Sequence, residues 1–146
     1  MVVITAPTAA VEAGDLAGKA RDALRLTWEE RRWTRKRVRT EAGRELALAL
    51  PTGTRLRPGA VIAVGPDWYA AVEAREEPVI AIAPRDGAEA VRVAFDVGNR
   101  HFPLAVHGDR LLVPDDSAME QLARRLDLAW ERCRAVFEPL DRSRHA

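Results

Sequence analysis

The spacing of hydrophobic residues changes near residue 76, and this change limits the folds open to the chain. Before it, apolar and polar residues alternate over short stretches, as at Leu46, Leu48 and Leu50. A period of two is typical of strands with one buried face. After it, residues 79–83 are all apolar, which suits a strand buried on both faces. We therefore predict two domains, residues 1–76 and residues 77–146.

The first domain reads as short strands separated by turns. Leu24, Leu26 and Trp28 alternate in the same way as the three leucines. Glycine or proline punctuates the chain at residues 42–43, 51–53, 58–59 and 65–67. The last of these turns predicts a hairpin between residues 61–64 and 68–72. This pattern indicates an all-β domain.

Two helices are predicted in the second domain. Asp86 can cap the first helix, and Gly98 stands where a C-cap glycine is common. Four of its apolar residues fall on one face, as in a helix that packs on a core, namely Ala88, Val91, Ala94 and Phe95. Asp116 or Ser117 begins the second helix, and Glu120 would complete a capping box with Ser117. Its apolar face consists of Ala118, Met119, Leu122, Ala123 and Leu126.

Strands precede, separate and follow these helices. Residues 102–106 and 111–113 read as two strands joined by a turn that contains His107, and a last strand runs over residues 128–137. The order strand, helix, strand, strand, helix, strand is the ferredoxin-like arrangement. The predicted class is α+β, with an N-terminal all-β domain followed by a ferredoxin-like βαββαβ domain.

The composition excludes several classes of protein. The net charge of +1 favours neither nucleic acid nor an acidic partner, and no apolar run approaches the roughly 18 residues of a membrane span. The first residues lack the basic and apolar regions of a signal peptide. Cys133 is the only cysteine, which excludes an internal disulfide and suits a reducing compartment. We predict a cytoplasmic protein that does not enter a membrane.

The sequence does not favour an enzyme. It contains no nucleophile elbow, phosphate-binding loop or dinucleotide fingerprint. Asp115 and Asp116, beside Ser117, form the one carboxylate cluster, and helix capping is enough to explain them. A small hydrolase is therefore the least favoured alternative.

A basic cluster precedes the first leucine-rich strand. It consists of Arg31, Arg32, Arg35, Lys36, Arg37 and Arg39, with Trp28 and Trp33 nearby. Cations with interleaved aromatic residues could bind single-stranded nucleic acid. Cations on a solvated strand edge, where they discourage aggregation, explain the same pattern. We favour the edge because three glutamates are adjacent and the net charge is small; a protein-docking surface ranks between these two interpretations.

The histidines are few enough to consider one by one. They are His101, His107 and His145, and none has the spacing of a metal site built within one helix. His107 lies in a predicted turn, and His145 is the penultimate residue. The residues alone therefore leave a structural role open for each of them.

His101 differs from the others because of its neighbours. The run Gly98-Asn99-Arg100-His101 resembles the GNRH segment of the UreE family of urease accessory proteins. The likeness continues, in order, over residues 23–140. It includes residues 39–43, 46–50, 51–53, 56–59, 116–128 and 137–139. Together these short motifs are fairly specific.

This resemblance implies a function as well as a fold. It implies a β-rich domain for protein docking and a ferredoxin-like domain that binds metal and forms a homodimer. It assigns the metal to His101, shared across the dimer two-fold axis. The implied protein is a metallochaperone that delivers Ni²⁺ to apo-urease together with other accessory proteins, including a GTPase.

The coordination chemistry agrees with this implication. One imidazole binds a divalent ion poorly, but two-fold symmetry supplies a second. Ni²⁺, Zn²⁺ and Cu²⁺ all accept imidazole nitrogen, so Zn²⁺ or Cu²⁺ can substitute. The chain lacks the histidine-rich tail of many members, so we expect about one ion per dimer, with His145 and His107 as auxiliary candidates. The alternatives left open are an assembly adaptor with a vestigial metal site and a nucleic-acid-binding module using residues 31–39.

Overall fold

The computed structural model describes residues 1–140. Contacts between α-carbons divide the chain into two units, one of residues Met1–Arg75 and one that begins at Glu76. The first unit is built from strands, and the second combines strands with two helices. The predicted α+β class, with a β-rich N-terminal region and a βαββαβ C-terminal region, is confirmed. That the two units are independently folding domains stays a prediction.

The first unit contains two three-stranded sheets. Their strands are β1 (Val2–Ile4), β2 (Ala20–Leu26), β3 (Arg35–Arg39), β4 (Glu45–Ala49), β5 (Val61–Val64) and β6 (Trp68–Ala74). One sheet has the order β1-β4-β3 and the other β2-β6-β5. The predicted hairpin is confirmed, because β5 and β6 are antiparallel neighbours. Gly43, with a φ of 88°, takes the left-handed conformation in the turn between β3 and β4.

A single core joins the two sheets of this unit. Leu46 and Leu48 of β4 and Leu24 and Leu26 of β2 are all buried in one cluster. The alternation of leucines along the chain thus marks the inward faces of both sheets, as predicted. Burial of each leucine side chain stabilises the fold by about 1.5–3 kcal/mol.

The structure corrects two expectations between residues 24 and 39. β2 ends at Leu26, so Trp28 does not continue its alternation. Arg31 lies in a short 3-10 helix, Glu30–Arg32, and is buried, donating a hydrogen bond of 2.9 Å to the Leu26 carbonyl. The basic cluster is therefore not one solvated edge. Its members on β3 do lie at a sheet edge, because β3 is the end strand of its sheet.

The second unit has the predicted βαββαβ order. Its elements are β7 (Glu76–Ile82), α1 (Gly87–Asn99), β8 (Ala105–His107), β9 (Arg110–Pro114), α2 (Ser117–Arg125) and β10 (Trp130–Val136). They form one antiparallel sheet with the order β10-β7-β9-β8. The apolar run at residues 79–82 is buried, as predicted for the central strand β7. Val97 of α1 and Met119 of α2 join Ile80 in one core cluster, so both helices cover the same sheet face.

The predicted core face of α1 is wrong. Val91 is 71% exposed and Phe95 is 68% exposed, and Ala88 and Ala94 are exposed as well. The helix packs instead through Ala90, Val93 and Val97. Both stripes have helical spacing, so periodicity alone could not decide which one meets the sheet. The apolar face predicted for α2 is confirmed, since Met119, Leu122 and Ala123 are buried.

Several predicted ends of elements move by a few residues. Asp116, rather than Ser117, caps α2, and its carboxylate accepts from the Ala118 N–H at 2.8 Å. β8 begins at Ala105 instead of residue 102, and β10 at Trp130 instead of residue 128. His107 consequently lies at the end of a strand and not in the turn. Among residues 1–140, no helix is long and apolar enough to cross a membrane.

Candidate metal site

His101 follows helix α1 and has an unusual backbone conformation. Arg100 is the C-cap residue, and His101 has a φ of 63°, in the left-handed region that few residues other than glycine adopt. The His101 N–H donates to the Gly98 carbonyl at 3.0 Å, and the Phe102 N–H donates to the Val97 carbonyl at 3.2 Å. These two bonds form a Schellman motif.

The Schellman motif corrects the predicted role of Gly98. Gly98 lies inside α1, which continues to Asn99, whereas His101 occupies the position after the C-cap that glycine usually takes. The motif bonds the chain at residues 101 and 102, and this fixes where the helix ends. A left-handed conformation costs a residue other than glycine about 1–3 kcal/mol, so the surrounding structure must hold His101 in place.

Phe102 anchors the loop that carries His101. Its half-buried side chain packs against the core cluster that contains Val97. A hydrophobic contact of this kind commonly accompanies a Schellman motif. The guanidinium of Arg100 also donates to the Asp96 carbonyl at 3.0 Å, at the last turn of the helix. The backbone around His101 is thus fixed from both sides.

The surroundings of the His101 side chain are open. His101, Asn99 and Arg100 are all exposed. A β-carbon added to Gly98 would meet no atom within 4 Å, so the last turn of α1 is also open there. The exposed stripe of Val91 and Phe95 runs along the same helix toward this end.

Among the described residues, His107 does not join His101 in a group able to hold a metal ion. His107 is exposed on β8 and pairs with Arg110 across the turn to β9. His145 lies outside the described residues. Within residues 1–140, no three side chains of His, Cys, Asp or Glu form a group able to hold a metal ion.

The remaining candidates have structural roles. Asp116 caps α2, and Asp115 accepts from the Arg132 guanidinium at 3.3 Å, so capping and ion pairing explain this carboxylate cluster. Cys133 is half-buried on β10 opposite Val79.

The structure also contains a buried carboxylate that sequence analysis did not identify. Asp22 is 5% exposed. Its carboxylate oxygens accept from the N–H groups of Ala23 and Ala42 and from the Arg44 guanidinium, at 2.8–3.0 Å. A lone acidic residue at the start of an alternating stretch gives no signal of burial, because its partners come from a distant turn.

Comparison with known proteins decides the family. Residues 77–146 match the sequence model of the UreE urease accessory protein, C-terminal domain. Residues 4–75 match the model of the UreE urease accessory protein, N-terminal domain. The chain belongs to the UreE family. In this member, His101 of the GNRH segment is the left-handed residue at the end of α1.

Individual relatives agree with this assignment. The urease accessory protein UreE of Synechococcus sp. (strain JA-3-3Ab) is 40% identical over 105 residues, which cover 72% of this chain and 70% of the relative. That of Rhodobacter capsulatus is 35% identical over 127 residues, covering 87% and 78%. That of Cereibacter sphaeroides is 33% identical over 126 residues, covering 86% and 67%. The similarity therefore extends across both units of this UreE-family chain.

Proposed function

We propose that this protein is a nickel metallochaperone that delivers Ni²⁺ to apo-urease during assembly of the urease active site. Membership in a family of urease accessory proteins supports a role in urease maturation, as a protein that assists an enzyme and is not one itself. The observation that carries the metal assignment is the exposed His101 in its left-handed conformation. Strained residues of this kind cluster at functional sites.

The bound metal would be shared between two copies of the chain. Neutral imidazole suits Ni²⁺, and also Zn²⁺ and Cu²⁺, but one imidazole is a weak site. The described residues offer no further cluster around it. A two-fold axis beside His101 would supply two imidazoles to one ion, and water could complete the coordination sphere. Such a sparse site also releases its ion more readily than a closed cage, as a carrier requires.

The exposed apolar face of α1 supports a homodimer near His101. Val91 and Phe95 are large apolar side chains, and both are more than two-thirds exposed. Burial against a second copy would stabilise the dimer by about 1.5–3 kcal/mol for each side chain that becomes fully covered. Since the stripe runs toward the helix end that carries His101, packing there would bring two imidazoles close together.

The partners and the compartment follow from the family and from the single cysteine. Delivery would involve apo-urease and the other accessory proteins, including a GTPase, and the single Cys133 suits a reducing cytoplasm. His107 and His145 remain candidates for auxiliary ligands.

Calorimetric titration of metal-free protein with Ni²⁺ tests the site. We expect about half an ion per chain, because two imidazoles share one ion. Binding of Ni²⁺ should be lost in His101→Ala, whereas His107→Ala, which removes only a candidate auxiliary ligand, should keep the stoichiometry. Unchanged Ni²⁺ binding in His101→Ala would contradict the assignment of the metal to His101. If His101→Ala also leaves binding to apo-urease unchanged, the adaptor with a vestigial metal site becomes the better interpretation.

Light scattering of a Phe95→Ser variant tests the dimer separately. We expect the variant to stay folded, since Phe95 contributes little to the core of its own chain, but to become monomeric and lose Ni²⁺ affinity. Val3→Ser, at an exposed apolar residue of the first unit, is the matched control and should leave the dimer intact. A Phe95→Ser dimer that binds nickel normally would refute this interface.

A further inference from the structure

Strand β3 has one edge that pairs with no other described strand, and it carries three exposed arginines. β3 pairs only with β4 among the described strands and ends its sheet. Arg35, Arg37 and Arg39, which we call the arginine edge, are all exposed. A long exposed strand edge is normally a hazard, because its free backbone groups can pair with another chain.

The backbone N–H and C=O groups of the arginine edge are directed away from β4. The Thr40 N–H donates to the Arg44 carbonyl at 2.9 Å, and the Leu50 N–H donates to the Thr34 carbonyl at 2.8 Å. Hydrogen-bonded pairs alternate along an antiparallel ladder, so the even-numbered residues of β3 bond to β4. The N–H and C=O groups of residues 35, 37 and 39 are therefore directed outward, where an added strand would pair.

The side chains of the same three residues share the outer face of the sheet. They lie opposite Ala49, Ala47 and Glu45 on β4, whereas Val38 packs into the core and Lys36 lies over Trp33 at 5.1 Å. Arg39 pairs with Glu45 at 2.7 Å. Within residues 1–140, neither Arg35 nor Arg37 has an ion-pair partner, so two guanidinium groups are available beside the small side chains of Ala47 and Ala49.

We propose that the arginine edge binds an extended acidic segment of a partner protein by β-strand addition. Alternate residues of a strand are about 6.6–6.8 Å apart on one face, so carboxylates at every second position would match the spacing of the arginines. Backbone pairing would provide affinity, and the charges would select acidic sequences. The proposal concerns the first unit, and its test uses metal-free protein, so it stands apart from the nickel site.

The geometry favours a peptide over single-stranded nucleic acid. Bases would need free aromatic faces for stacking. The Trp28 ring carries the Arg32 guanidinium at 5.3 Å, and Trp33 is covered by Lys36 and packs on the core. Arg31 is buried and does not contribute to the surface. Outward backbone groups, in contrast, are complementary to another strand.

The probe is a short, fluorescently labelled peptide with glutamate at every second position and valine at the positions between. Its binding to the full chain is measured by fluorescence anisotropy. We expect Arg37→Ala to weaken binding about two- to fivefold, as one exposed ion pair would. Arg125→Ala, which removes an exposed arginine of the second unit, should have no effect. Equal weakening by both variants would reduce the interaction to net charge and overturn the proposal.

Two N-methylated versions of the peptide test strand addition directly. One carries N-methyl groups on its glutamates and the other on its valines, so their charge is the same. Because only alternate N–H groups of an added strand face its partner, one version should lose binding and the other keep it. Equal binding of both, or stronger binding of a thymidine oligonucleotide than of the parent peptide, would overturn the proposal. Slower hydrogen exchange at the amides of residues 35, 37 and 39 is the expected supporting result.

Discussion

At the scale of single residues, the chain accepts backbone strain at two helix ends. α1 ends with His101 in the left-handed region and α2 with Asp127, at φ values of 63° and 51°. The second end is also a Schellman motif, because the Leu128 N–H donates to the Ala123 carbonyl at 3.0 Å and the Asp127 N–H to the Arg124 carbonyl at 3.2 Å. Aspartate and histidine both adopt this conformation more often than most residues do, but neither adopts it as freely as glycine.

We expect His101→Gly to stabilise the metal-free protein while abolishing nickel binding. Glycine adopts a positive φ freely, and relief of strain should exceed its larger unfolded-state entropy, giving a net gain of about 0.5–1 kcal/mol. Urea denaturation and nickel calorimetry on the same variant measure both effects.

Asp127→Gly is the matched control for the expected gain in stability and loss of nickel binding in His101→Gly. It occupies the equivalent position after α2, so it should change stability by a smaller amount and leave nickel binding intact. A His101→Gly variant less stable than the parent would show that the imidazole stabilises the fold, which would remove the strain argument for a functional His101.

At the scale of elements, Asp22 ties β2 to the turn between β3 and β4. Its carboxylate accepts from the Ala42 N–H and from Arg44, whose guanidinium also stacks over Trp68 of β6 at 4.4 Å. Burial by itself would raise the pKa of Asp22. Hydrogen bonds from Thr40, Ala42, Arg44 and Ala23 outweigh it and hold the pKa below its ordinary value.

The lowered pKa of Asp22 predicts acid sensitivity of the first unit. A carboxyl with a folded pKa below its unfolded value of about 3.9 contributes stability above that pH, and the contribution is lost as the pH falls through the folded pKa. The Asp22→Asn variant should therefore be less stable at neutral pH, by about 1–3 kcal/mol, and should lose less stability than the parent below about pH 4. Urea denaturation at a series of pH values measures both effects. If the free energy of unfolding depends on pH in the same way in the two proteins, ionisation of Asp22 does not contribute to the acid sensitivity.

At the scale of the whole molecule, each unit has its own hydrophobic core. We expect a fragment of residues 76–146 to fold, dimerise and bind nickel like the full chain. A domain of about 70 residues gains little from its core alone, so dimerisation should contribute much of its stability. Its melting temperature should therefore rise with protein concentration.

A fragment that begins at residue 83 is the control, because it lacks β7, the strand between β10 and β9. It should not fold. If the 76–146 fragment is also unfolded, the proposed division of roles between the units is wrong. A monomeric fragment that binds one ion per chain would instead contradict a nickel site shared across a dimer.

Local patterns in the sequence were enough to predict most strands, helices, turns and caps, because these features depend on neighbours along the chain. The leucine alternation, the buried strand β7 and the Asp86 cap, which accepts from the Glu89 N–H at 2.8 Å, were all predictable. The GNRH segment also identified the family. Only the packing of the elements against one another decided which stripe of α1 faces the sheet and that Arg31 is buried. These outcomes depend on contacts between residues distant in sequence, about which a local pattern holds no information.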